Sequence, residues 1–183
     1  MRTLVLPLLL LAAALPAQSQ VKGSVGLAAS WQGLMPGVSR EANVVALLGP
    51  GFFQDTIGDT GSRTYVSDRE NATVVIAFGI DHIIDRIEIT SGTHYPPTVT
   101  RSGRKRMQVA IRDPKWSGWQ YALPLGSTKQ AVLAVLGKPT GSLDSSEWLY
   151  TAYGSAACEG PSIRFTFAKA SLNSIEFLAP EYE

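Results

Sequence analysis

Apolar residues in this chain switch twice from helical to strand spacing. From Ser39 onward, Val44, Val45 and Leu48 fall on one face of a helix, with Arg40 and Asn43 on the other. Gly49-Pro50 ends that helix, because glycine takes the left-handed backbone beyond the last turn and proline cannot continue the helix. A second helix is marked by Ser127 with Gln130 three residues on, a capping-box pattern, and closes at Gly137 and Pro139. Each has roughly ten residues, too few to be stable alone in water, so each needs a surface to pack on. Strand-like runs supply it. Arg63 to Asp68, Thr73 to Phe78 and Ile83 to Thr90 follow the first helix; Glu147 to Tyr153, Ser162 to Ala168 and Leu172 to Ala179 follow the second. In the run from Ser162, Ile163, Phe165 and Phe167 alternate with Arg164, Thr166 and Ala168, the pattern of an antiparallel strand with one face on a core.

The two stretches echo each other at a constant spacing of 88 residues, the distance from Trp31 to Trp119. Gln32/Gln120, Pro36/Pro124, Ser39/Ser127, Val44/Val132, Ala46/Ala134, Leu48/Leu136 and Gly49/Gly137 also match, and Ile87-Glu88 returns as Ile175-Glu176. A fixed spacing of this kind is the mark of a repeated structural unit. The expected fold is therefore α+β: two tandem copies of a short-helix-plus-antiparallel-sheet module, with the helices on one face of the sheet. The boundaries expected are a first copy at 31–90, a basic, proline-containing insertion at 91–118 and a second copy at 119–183. Trp31 and Trp119, repeated with the unit, read as wedges between helix and sheet.

The first residues lie outside that scheme. Arg2 followed by the apolar run Leu4 to Leu15 and the small residues Ala17-Gln18-Ser19 reads as a secretory signal peptide over 1–19, cleaved after Ala17 or Ser19. A Gly-rich arm over 20–30 follows. The expected location is exported, periplasmic or extracellular, with no membrane span. Cys158 is the single cysteine, so no internal disulfide can form and packing must hold the core. Charged residues make up 17% of the chain and the net charge is +1, which excludes binding to nucleic acid driven by bulk charge.

Catalytic patterns are sparse. Asp81-His82-x-x-Asp85 has the residue types of a metal or acid–base pair, but residues 82 and 85 point to opposite faces of a strand, so a turn entering a strand explains them. His94 stands beside Tyr95-Pro96-Pro97 without an evident partner. Asp59-Thr60-Gly61 spells an aspartic-protease tripeptide; that chemistry needs two carboxylates sharing a proton, and Asp144-Ser145-Ser146 does not reproduce it. A hydrolase using Asp59 is the most distant reading. No metal, cofactor or catalytic residue is expected. Two groups remain as binding candidates. Tyr65, Trp148, Tyr150 and Tyr153 lie on the first strand expected in each copy. They would meet a protein partner if that face is open, or pack under a helix if it is not. Arg101, Arg104, Lys105 and Arg106 form a basic cluster in the insertion that would contact an anionic surface or stand in solvent.

The helix ending in Leu-Gly-x-Pro (Leu136 to Pro139), the aromatic strands and the closing Ile-Glu strand resemble a known module. It is shared by β-lactamase inhibitor proteins, which carry it in tandem, and by the small outer-membrane lipoproteins of the β-barrel assembly machinery. The resemblance implies an open, concave sheet face that binds proteins and no catalysis. Two departures stand out: the inhibitors' disulfides cannot form here, and the lipoproteins' acylated cysteine is absent. The expectation is an exported, non-catalytic protein-binding module, in its narrower form an enzyme inhibitor. The alternative is a cell-envelope protein that recognises outer-membrane or cell-wall components.

Overall fold

The computed structural model describes residues 29–56, 60–95, 123–151 and 160–180. Helix α1 (Glu41–Leu48) precedes strands β1 (Phe52–Thr56), β2 (Thr60–Ser67), β3 (Ala72–Phe78) and β4 (Ile84–Ser91). Helix α2 (Lys129–Leu136) precedes β5 (Gly141–Asp144), β6 (Glu147–Thr151), β7 (Ser162–Ala168) and β8 (Ser171–Leu178). All eight strands join one sheet in the order β1-β2-β3-β4-β8-β7-β6-β5, every pairing antiparallel. The fold is thus α+β. Each half carries one strand more than the pattern predicts: β1 and β5 are short edge strands directly after the helix ends.

The halves repeat each other's contacts at the 88-residue spacing. Arg40 bridges to Ile83, and Thr128 to Ser171. Ile84 N–H donates to the Ser39 carbonyl at 2.8 Å, and Leu172 N–H to the Ser127 carbonyl at 2.7 Å. Pairing slips by one bulge between Ala77 and Phe78 in one half, and between Thr166 and Phe167 in the other. The halves meet through β4 and β8, where Glu88 lies directly opposite Glu176.

Both helices stop as the sequence indicates. Gly49 (φ 83°) and Gly137 (φ 78°) take the left-handed backbone, and their N–H groups bond back to Val45 and Leu133, each at 2.9 Å. The start of α2 differs from the expected Ser127–Gln130 box. Thr128 is the cap, its hydroxyl accepting from Ala131 N–H at 3.2 Å. Ser127 is otherwise engaged, its carbonyl on Leu172 and its hydroxyl donating to the Pro124 carbonyl at 2.6 Å. At α1 the side chain of Asn43 accepts from Arg40 N–H at 2.8 Å.

One core runs the width of the sheet. Val74, Ile76, Ile87, Ile89, Ile163, Phe165, Ile175 and Phe177 share one sheet face by register and are buried against Val44 and Leu48 of α1 and Val132 of α2. Trp31 is fully buried in the same cluster, as the wedge reading requires. Trp119 lies outside the described residues.

Candidate functional site

Strand parity decides which aromatic residues face what. Tyr65 pairs with Val74, and Tyr150 with Ile163, so both stand on the core face. Tyr65 is 0% exposed and Tyr150 2%. Their hydroxyls donate to the helix-end carbonyls, Tyr65 to Gly49 at 2.9 Å and Tyr150 to Gly137 at 3.0 Å. The last carbonyls of a helix have no partner within it, and the two tyrosines satisfy one on each. Burial pushes the Tyr65 hydroxyl up to about 12, against the lowering pull of Arg63, and burial alone pushes that of Tyr150 to about 12. Both candidates are therefore corrected: they clamp helix ends from below and offer nothing to a partner. Both helices accordingly lie over the same sheet face.

Trp148 is half-buried on that face as well. Its ring meets Phe167 edge-on at 4.8 Å, and the Lys129 ammonium sits 5.3 Å from its centroid. Tyr153, the basic residues Arg101, Arg104, Lys105 and Arg106, and Asp59 and Cys158 all lie outside the described residues. His82 takes a partner that the motif reading did not name: its Nδ1 is 2.9 Å from the Glu41 carboxylate. His94 belongs to the segment after β4, its N–H donating to the Thr73 hydroxyl at 2.8 Å. Among the described residues, no group of three or more His, Cys, Asp or Glu could hold a metal ion.

The opposite face of the sheet is the one the family resemblance implies to be open, although none of the candidate residues was assigned to it. No helix or strand among the described residues lies over it. Across its middle, the register sets Thr64, Val75, Glu88, Glu176, Arg164 and Leu149 in one row, one residue from each of the six inner strands. Arg86 stands two residues before Glu88 on the same face. Its Nη1 is 3.2 Å from one oxygen of Glu176, and Arg164 Nη1 is 2.9 Å from the other. The Glu176 side chain is only 10% exposed, while Arg86 and Arg164 remain 42% and 35% exposed. A buried carboxylate held from both sides fixes the two guanidinium groups, which stay partly exposed, although Arg164 Nε is buried with no hydrogen-bond partner among the described residues. The signal was present in the sequence. Arg164 and Glu176 fall on the polar side of alternating strands, and Glu88 and Glu176 are the same position of the echo.

No family model matches this sequence, and no curated protein matches it either. Among solved structures, a DUF4309 family protein from Bacillus subtilis aligns at 14% identity and a TM-score of 0.47, over 81% of this chain and 83% of that one. An extracellular protein containing an SCP domain from Bacillus anthracis aligns at 9% identity and a TM-score of 0.44, over 91% of this chain and 50% of that one. A cysteine-rich secretory protein from Staphylococcus aureus aligns at 9% identity and a TM-score of 0.42, over 80% and 44%. This chain thus spans half or less of the last two. Likenesses this remote assign no activity to it.

Proposed function

We propose that this chain is an exported, non-catalytic binding protein whose ligand is another protein, docked on the sheet face opposite the helices. The observation that carries this reading is the charged group at the centre of that face, where Glu176 holds Arg86 and Arg164 in place while both stay partly exposed. Pre-set arginines of this kind are over-represented at protein contacts, because little side-chain freedom is lost on docking. The reading includes two tandem copies of one module, supported by the bridges and helix-end bonds repeated at the 88-residue spacing and by a bulge in the matching strand pair of each half. Export rests on the leader-like segment Leu4 to Leu15. In the described residues no helix is long and apolar enough to cross a membrane. Inhibition of an enzyme by covering its active site is the narrower form.

The test uses the full mature chain as bait in extracts of the exporting cell's envelope and medium. Beside it run Ser174→Trp, which places an indole in the middle of the helix-free face, and Leu133→Asp, which alters the exposed side of α2. A protein retained by the wild type and by Leu133→Asp, but lost with Ser174→Trp, is the expected result. Retention that ignores Ser174→Trp would overturn the proposal. So would retention of a glycan or lipid with no protein, which would favour the cell-envelope alternative.

A further inference from the structure

Strands β4 and β8 pair so that Glu88 and Glu176, equivalent by the 88-residue spacing, face each other directly. Cross-strand neighbours sit about 4.5–5.5 Å apart at Cβ, and like charges there repel. Among the described residues, only one of the two finds a counter-charge. Arg86 and Arg164 both bind Glu176, which is the more deeply buried and has the greater need of counter-charge. Glu88 is half-buried, and among the described residues no hydrogen bond or ion pair reaches its carboxylate. A swing of Arg86 to Glu88 would strip one of the two supports from the deeper carboxylate. On the other side of Glu88, its row continues through Val75 and Thr64, which carry no charge. That strip suits the aliphatic stem of a long basic side chain. One spare carboxylate is too few ligands for a calcium or magnesium ion.

We infer that the docked protein seats a lysine or arginine side chain on Glu88, its stem lying along Val75 and Thr64. This rests on the helix-free face being the docking surface, and it specifies the partner's chemistry: one basic side chain at the centre of its contact, with acceptors flanking it for Arg86 and Arg164. The contact places opposite charge on a carboxylate that no described residue pairs, which favours this partner over one presenting an acidic centre.

The probe is the peptide acetyl-Thr-Val-Lys-Val-Thr-amide, titrated into the isotope-labelled full chain and followed at the Glu88 and Val75 amide signals. Its control has norleucine in place of lysine. The lysine peptide should bind about tenfold more tightly than the control, and 0.5 M salt should shrink that preference. Glu88→Gln should erase the preference and Glu88→Asp should keep most of it. Neither change removes a hydrogen bond or ion pair among the described residues, so both variants should fold. Equal binding of the two peptides to the wild type, or an undiminished preference in Glu88→Gln, would overturn the inference. In the bait experiment, a protein lost with Ser174→Trp but fully retained by Glu88→Gln would sink this inference alone and leave the docking face standing.

Discussion

The two halves of the sheet solve one problem with opposite charges. Glu41 and Lys129 occupy the same place, the first residue of α1 and of α2, at the 88-residue spacing. Glu41 accepts from Arg63 Nε at 2.8 Å and Nη2 at 2.5 Å, and its other oxygen lies 2.9 Å from His82 Nδ1; the Arg63 guanidinium lies 4.8 Å over Phe53. Lys129 instead puts its ammonium 5.3 Å from the Trp148 ring and 5.2 Å from Phe167, and donates to the Ser145 carbonyl. Arg63 and Trp148 correspond, each standing two residues before the tyrosine that holds its helix end. A negative side chain suits a helix start and a positive one does not, so the second half offsets a small dipole cost with its aromatic contact. The frame needs a clamp between helix start and second strand. Its chemistry is interchangeable.

Truncating the shared core tests how far the halves stand or fall together. Phe165 pairs with Ile175 as Ile76 pairs with Ile87, and all four side chains are buried in one cluster. Phe165→Ala should cost about 3–5 kcal/mol and Ile76→Ala about 2–5 kcal/mol in urea unfolding. Both should shift a single transition. Two separate transitions, each sensitive to one variant, would show that the halves unfold independently.

The facing glutamates give the next largest contrast. Glu176→Gln leaves Arg86 and Arg164 close together without their anion, and should cost about 1–3 kcal/mol, moderated by the exposure of both arginines. Glu88→Gln loses no partner among the described residues and should stay within about 0.5 kcal/mol of the wild type, or gain slightly by relieving repulsion. Equal losses at both positions would mean that the two carboxylates share the arginines.

Much of this frame was legible because periodicity and turn residues are local signals. The helices, six of the eight strands and the glycine stops follow from spacing alone. The edge strands were not legible: Phe52–Thr56 and Gly141–Asp144 are short, follow directly on helix-end glycine and proline, and take their pairing from a partner strand. The site was less legible still. Which face of an aromatic strand is covered depends on where a helix lands, and that is tertiary. Tyr65 and Tyr150 therefore turned out to be core anchors, while the charged row was hidden in residues that alternation had marked only as polar.

Exchanging the clamps should separate their strengths. Glu41→Lys loses two bonds to Arg63 and the contact with His82 and sets a positive charge beside that arginine, at a cost of about 1–2 kcal/mol that 0.5 M salt reduces. Lys129→Glu loses the contact with Trp148 and Phe167 but gains at the helix start, so the net change should be under about 1 kcal/mol. Thermal melts at low and high salt measure both. A larger loss at Lys129 than at Glu41 would reverse the ranking of the two clamps.

The smallest effect lies in the turns leading into β4 and β8, where the halves again share a backbone and differ in contacts. Asp81 and His82 have φ of 64° and 55°, and Lys169 and Ala170 have 50° and 67°. Left-handed backbone costs an L-residue about 1–2 kcal/mol, against which glycine's greater freedom in the unfolded chain offsets about 0.5–1 kcal/mol. Ala170 is exposed and its methyl group makes no bond, so Ala170→Gly should stabilise the protein by about 0.5–1 kcal/mol. His82→Gly relieves the same backbone but surrenders the 2.9 Å contact with Glu41, so its gain should be smaller or vanish. If both substitutions stabilise equally, the His82–Glu41 contact contributes nothing, and the clamp of the first half reduces to Glu41 and Arg63.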